Sequence, residues 1–186
     1  RWTHPSRGRI PPDVFLPIAL EMNMMRELDL AAMHACTRAL AMLRAQGFMS
    51  LIVGFNASSQ TLARESFVNR LEWELDRLNL PAEKVAVEAQ ENAVVASSGA
   101  IRESEAAISR LKNLGVRVAL DDFGTGYSSL GLLNQLPVDI VKLDRTFTKD
   151  LADSDAKQAI VKALVQLTNA LNMMINIIDL GIPALR

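Results

Sequence analysis

Four short apolar runs in this chain each stop at one polar side chain, and the stops recur at the spacing of a strand–helix–strand unit. SLIVGF (50–55) ends at Asn56, KVAV (84–87) at Glu88, RVAL (117–120) at Asp121 and DIV (139–141) at Lys142. The stops lie 32 residues apart (56 to 88), then 33 (88 to 121), then 21 (121 to 142). Strands alternating with helices at this spacing argue for a parallel sheet. In a (β/α)8 barrel the carboxyl ends of the strands converge on one rim, and the active site lies there. The expected fold class is therefore α/β, a TIM-like barrel with Asn56, Glu88, Asp121 and Lys142 on one rim.

The helical segments fit between these runs. Residues 12–25 and 26–46 both read as helices; in the second, Leu28, Ala32, Cys36, Leu40 and Leu43 share a face. Asp13, after Pro11 and Pro12, is placed to cap the first. The methionines from 22 to 33 read as packing. Helices follow over 66–78 (Phe67, Leu71, Leu75 and Leu78 inward), 100–113 (Ile101, Ile108 and Leu111 inward, Gly115 as the stop) and 155–172 (stripe Ile160, Leu164, Leu167). Residues 174–178 read as a last strand. No repeat, low-complexity tract or interdomain linker interrupts the order.

Composition narrows the function. The 186 residues carry a formal net charge of −1, which gives no electrostatic footprint for duplex nucleic acid or an acidic membrane surface. A small anionic ligand needs only local positive charge and stays open. No stretch reaches the roughly 18 apolar residues of a membrane span. No GxGxxG or GxxxxGK[ST] supports a dinucleotide fold or a P-loop. The single cysteine, Cys36, reads as a small core residue and suits a reducing compartment. A cytoplasmic location is expected, either free or as the cytoplasmic part of a larger, membrane-anchored protein. The chain opens on Arg1 without initiator Met or signal peptide, and so is expected to begin inside something longer.

The chemistry concentrates in DDFGTGYSSL (121–130). Adjacent carboxylates repel unless something positive lies between them, such as a metal ion, Lys or Arg. A solvated strand end followed by a turn is the simpler reading, because Asp and Gly are turn residues. Amide and carboxylate oxygens are hard ligands, suited to Mg2+ or Mn2+ and not to Zn2+. The two histidines, His4 and His34, offer no zinc set; His34 lies within a helix and reads as packed or solvent-facing. Paired aspartates can divide between two cations, and a two-metal centre activates water for in-line attack on a phosphodiester. Lys142 either holds that water or a phosphate oxygen, or pairs with Asp144.

DDFGTGYSSL followed by LPVDIVKLDRTF (136–147) closely resembles the signature of EAL domains, the cyclic di-GMP phosphodiesterases. RWTHPSRGRIPPDVFLPIA (1–19) resembles the stretch after their Glu-Ala-Leu motif, FNASSQTL (55–62) their Asn-bearing strand end, and VEAQENAVV (87–95) their Glu-x-x-Glu segment. The resemblance covers roughly residues 1–172. It implies a modified (β/α)8 barrel and metal-dependent hydrolysis of cyclic di-GMP to the linear dinucleotide pGpG. Asn56, Glu88 and Asp121 would be metal ligands, with Asp122 serving a second Mg2+ or Mn2+. Lys142 would act on the nucleophilic water; Lys142, Glu88 and Asp121 would be the catalytic set. Arg1 would contact a substrate phosphate. Glu91 would steady the loop from Phe123 to Ser129, which in this family couples metal binding to dimerisation; a homodimer is expected.

Departures from the family pattern set the competing expectation. The Glu of Glu-Ala-Leu would fall just before Arg1. Aligned on Leu171-Asn172, Ile178 and Gly181 occupy the positions of two further family glutamates, and Gln90 replaces a Thr. The tail 175–186 does not resemble the family. A complete barrel of this kind needs about 250 residues, so residues 1–186 are expected to form an EAL-like domain lacking the first and last strands. The alternative to a phosphodiesterase is an inactive EAL-like module that acts as a cyclic di-GMP receptor or binds a protein partner.

Overall fold

The computed structural model describes residues 2–90, 100–124, 133 and 136–177, without the side chains of 100–103. A hairpin of β1 (Trp2–His4) and β2 (Gly8–Ile10) leads into α1 (Pro12–Glu21) and α2 (Met25–Ala45). Then follow β3 (Val53–Ala57), α3 (Ser59–Leu62), α4 (Glu65–Arg77), β4 (Val85–Gln90), α5 (Ala100–Asn113) and β5 (Arg117–Phe123). The described chain ends with β6 (Ile140–Leu143), α6 (Arg145–Thr148), α7 (Asp155–Ala170) and β7 (Met174–Ile177). Strands β3 to β7 form one sheet in sequence order, parallel throughout. Strands β3 and β7 are its edges, so the sheet is an open arc of an α/β barrel.

Strand periodicity divides the sheet into two faces. Phe55, Val85, Val87, Val118, Leu120, Val141 and Leu143 are buried on the helix side. They pack with Met33 and Leu40 of α2, Phe67, Leu71 and Leu75 of α4, Ile108 and Leu111 of α5, and Val161 of α7 in one core. The alternate positions, Gly54, Asn56, Ala86, Glu88, Ala119 and Lys142, face the inside of the arc. Among the described residues helices pack on one face, as around a barrel, and that leaves the inner face for small and polar side chains.

Several expectations shift by a residue. The buried stripe of α2 is Asp29, Met33, Cys36, Thr37 and Leu40, not the Leu28–Ala32 line, and Ala32 is exposed. Met22 and Met24 are exposed, while Met33 is fully buried. In α7 Val161 is buried and Ile160 is exposed. Asp13 does not cap α1: Pro11 occupies the N-cap without a side-chain hydrogen bond, and Asp13 lies in the first turn, where its charge favours the helix dipole. His34 is a packed residue, its Nδ1 lying 2.8 Å from Glu74 Oε1. Burial, and then the charge of Glu88, push the Cys36 thiol up to about 11, so it stays protonated and inert.

Buried Asp29 anchors the turn that follows the Asn56 strand. Its Oδ2 accepts from Ser58 N–H at 2.8 Å, Ser58 Oγ at 2.5 Å and Thr61 Oγ1 at 2.6 Å. Charged hydrogen bonds inside a protein are strong, and removing the acceptor strands its donors. Asp29→Ala is expected to cost about 3 kcal/mol, read as a lower denaturation midpoint at unchanged slope. An unchanged midpoint would mean the turn re-satisfies itself with water.

Candidate active site

The site is assembled across β3, β4, β5 and β6. Asn56 stands opposite Glu88 in the β3–β4 register, and Gln90 opposite Asp121 in the β4–β5 register. Lys142 reaches across from β6. Its Nζ lies 2.7 Å from Glu88 Oε2 and 3.1 Å from Asp121 Oδ1. The ammonium is therefore the positive charge between two rim carboxylates. All three side chains are largely buried, Lys142 most of all at 12% exposure. Lys142 does not pair with Asp144, whose carboxylate instead caps α6 by accepting from Thr146 N–H at 2.8 Å. That hydroxyl-bearing residue and its backbone hold the Asp144 carboxyl below its ordinary value. Burial alone would lower the Lys142 pKa. The hydrogen bond and charge of Glu88, then those of Asp121, outweigh burial and hold the ammonium above its ordinary value.

Two adjacent aspartates in a regular strand would point to opposite faces. Here β5 pairs with β6 through Leu120↔Val141 and then Phe123↔Leu143, so three steps on β5 match two on β6. The extra residue is a bulge opposite Lys142, with Asp122 in the left-handed region at φ 55°. Leu120 and Phe123 are both in the core, and both intervening aspartates are off it. The bulge lets two consecutive carboxylates escape the core face and then restores the alternation. Burial, then the charges of Asp121 and Asp144, raise the Asp122 pKa, with Lys142 opposing.

Glycines make room on both sides. A Cβ on Gly54 would lie 3.0 Å from Glu88 Oε1, a tight fit against the carboxylate. Gly124 has φ 96°, and a Cβ there would collide with the Phe147 ring. Gly124 is thus required both by its backbone and by the ring beside it. Arg1, Glu91 and the loop residues 125–129 lie outside the described residues.

The donors Asn56, Glu88, Asp121 and Asp122 supply amide and carboxylate oxygen only, a set that fits a hard divalent cation. Among the described residues no three acidic, His or Cys side chains converge on one point, so such an ion would also need the Asn56 amide and water as ligands. Sequence reasoning missed Asp29, which holds the turn after Asn56, and Gly54, which leaves room for the Glu88 carboxylate.

A parallel sheet with helices outside and acids, an amide and a lysine at its strand ends inside defines a barrel-type domain with its site on the carboxyl rim. The chain belongs to the EAL domain family, whose model matches residues 1–177. Cyclic di-GMP phosphodiesterase NbdA of Pseudomonas aeruginosa is 33% identical over 175 residues, covering 94% of this chain and 22% of that protein. Cyclic di-GMP phosphodiesterase PdeR of Escherichia coli K12 is 34% identical over 175 residues, covering 94% and 26%. The chain thus spans about a quarter of the length of these relatives. Among solved structures, the PaMucR phosphodiesterase in complex with c-di-GMP superposes with a TM-score of 0.85 at 30% identity, covering 95% of this chain and 70% of that one. The FimX EAL domain from P. aeruginosa bound to c-di-GMP shares the fold, with a TM-score of 0.84 over 95% of this chain and 69% of that one, at 21% identity. Among the described residues no helix is long and apolar enough to cross a membrane.

Proposed function

We propose that this domain hydrolyses cyclic di-GMP to linear pGpG. Water attacks one phosphorus, the P–O3′ bond breaks, the 3′-oxygen leaves with a proton as a hydroxyl, and a 5′-phosphomonoester remains. The observation that carries the reading is the Glu88–Lys142–Asp121 bridge beside the aspartate bulge. Asn56, Glu88 and Asp121 would hold one Mg2+ or Mn2+, and Asp122 would serve a second. When bound, such ions supply Lewis acidity and lower the pKa of water. Lys142, held as an ammonium, does not act as the base. It orients the attacking oxygen or a phosphate oxygen and stabilises the charge that develops there. The proton acceptors within its reach are the Glu88 and Asp121 carboxylates.

A second reading, a cyclic di-GMP receptor, is favoured by β7. Asn176 stands in register with Lys142, so β7 offers an amide there and not a third carboxylate. The test is conversion of cyclic di-GMP to pGpG with Mg2+ or Mn2+, beside a binding isotherm in EDTA. Lys142→Ala is expected to lower kcat by about 10²–10³-fold, the scale of losing a preorganised charge at a reacting centre, with binding changed far less. Binding without turnover under any divalent ion would decide for the receptor.

A further inference from the structure

A second positively charged feature lies at the start of α2 and on the chain segment that follows Asn56, and none of the residues lining it belongs to the Lys142 bridge. A cleft of about 510 Å³ is lined by Arg26, Glu27, Gln60 and Arg64 among others, and a smaller recess of about 70 Å³ shares Arg26 and Arg64 and adds Arg70. Among the described residues, none of these three arginines forms an ion pair or a side-chain hydrogen bond. The nearby acids do not neutralise them. Asp29, one turn along α2 from Arg26, is committed to Ser58 and Thr61, and Thr61 itself lines the recess. Glu65 lies 3.7 Å from Arg110. Glu27, on the cleft wall, makes no ion pair with any of the three.

Two of the arginines also work against their own helices. Arg64 occupies the N-cap of α4 with no capping hydrogen bond, where an acceptor side chain is preferred and a cation opposes the dipole. Arg26 lies in the first turn of α2, with the same sign conflict. Local choices that cost helix stability and also leave three guanidiniums unpaired around one concavity are accounted for together by an anion that binds between them.

We infer that the recess lined by Arg26, Arg64 and Arg70, together with the cleft that shares Arg26 and Arg64, is a binding site for a phosphomonoester. Guanidinium forks match phosphate oxygens, and three of them suit a dianionic monoester better than the monoanionic diesters of a cyclic dinucleotide. Inorganic phosphate, a mononucleotide and the 5′-end of a linear dinucleotide share this chemistry; only the last rests on the function proposed above.

The test is calorimetric titration, in EDTA, with inorganic phosphate, 5′-GMP, pGpG and guanosine. The three phosphates are expected to bind and guanosine is not. Arg26→Ala/Arg64→Ala should weaken phosphate binding at least tenfold and leave cyclic di-GMP affinity unchanged. Arg64→Asp supplies an N-cap acceptor and reverses the charge, so it should raise the melting temperature while abolishing phosphate binding; it keeps the test valid if the double variant unfolds. Tighter binding of pGpG than of 5′-GMP that is lost in Arg26→Ala/Arg64→Ala would identify the linear product as the source, and equal binding a free phosphate. No binding of inorganic phosphate or 5′-GMP at millimolar concentration, or inorganic phosphate binding that survives both variants, overturns the site. Absence of cyclic di-GMP turnover with phosphate binding intact would remove the function proposed above and leave the cleft standing.

Discussion

Glu88→Gln is expected to abolish turnover of cyclic di-GMP, by about 10³-fold or more, while the protein stays folded. Gln matches the shape of Glu, so the room left by Gly54 is still filled and one oxygen still accepts from Lys142. Asp121, 3.1 Å from Lys142, remains to balance the ammonium. What disappears is a negative charge at a largely buried position, and with it a hard ligand and a proton acceptor. A pH signature accompanies the loss. Lys142 has its folded pKa raised above its ordinary 10.5, so it contributes stability that is fully present below pH 10.5 and lost as pH rises through the folded value. Glu88 is the chief source of that rise, so the variant should lose this alkaline contribution at a lower pH than the wild type does. Melting temperatures followed from pH 10 upward read the shift, and a metal-dependent assay reads the rate. Turnover within tenfold of wild type would remove Glu88 from the catalytic set.

The rim was legible because each strand announces it locally. An apolar run ending at Asn56, Glu88, Asp121 or Lys142 carries its own signal, and the repeat of such runs fixes a common register. What sequence could not reveal depends on contacts between distant segments. Nothing next to Asp29 in the sequence marks it, because its partners lie 29 and 32 residues away. The stripe of α2 keeps the expected Cys36 and Leu40 but takes Asp29 and Met33 in place of Leu28 and Ala32, because that helix buries Asp29 and Thr37 with the hydrophobic residues. For a similar reason the sequence offers Lys142 either a water or phosphate oxygen or Asp144, and not the rim acids it bridges. Spacing by two residues suggests Asp144, but strand pairing carries Lys142 towards Glu88, 54 residues away. Arg64 at a helix N-cap contradicts local preference outright, and only the cleft around it gives that contradiction a meaning.

The aspartate pair separates stability from function most sharply. Asp122→Asn is expected to make the protein more stable at neutral pH and about 10²-fold or more less active. Burial, then the neighbouring charges of Asp121 and Asp144, raise the Asp122 pKa in the folded state above its ordinary 3.8. The native state then holds this proton more tightly than the unfolded chain does. Ionisation therefore opposes folding: the penalty is absent below pH 3.8 and complete once pH exceeds the folded value. Asn removes the penalty at neutral pH. Asn also suits the left-handed backbone at φ 55°, where a short polar side chain is tolerated. Activity should fall for the converse reason, since the carboxylate proposed to serve the second cation is gone. Mn2+ titration should show one site lost. The stability gain over wild type should shrink as pH falls towards 4, because wild-type Asp122 then takes up its own proton. A variant less stable at pH 7, or one whose advantage is independent of pH, would mean that the bulge is shaped by something other than the need to hold two carboxylates at one strand end.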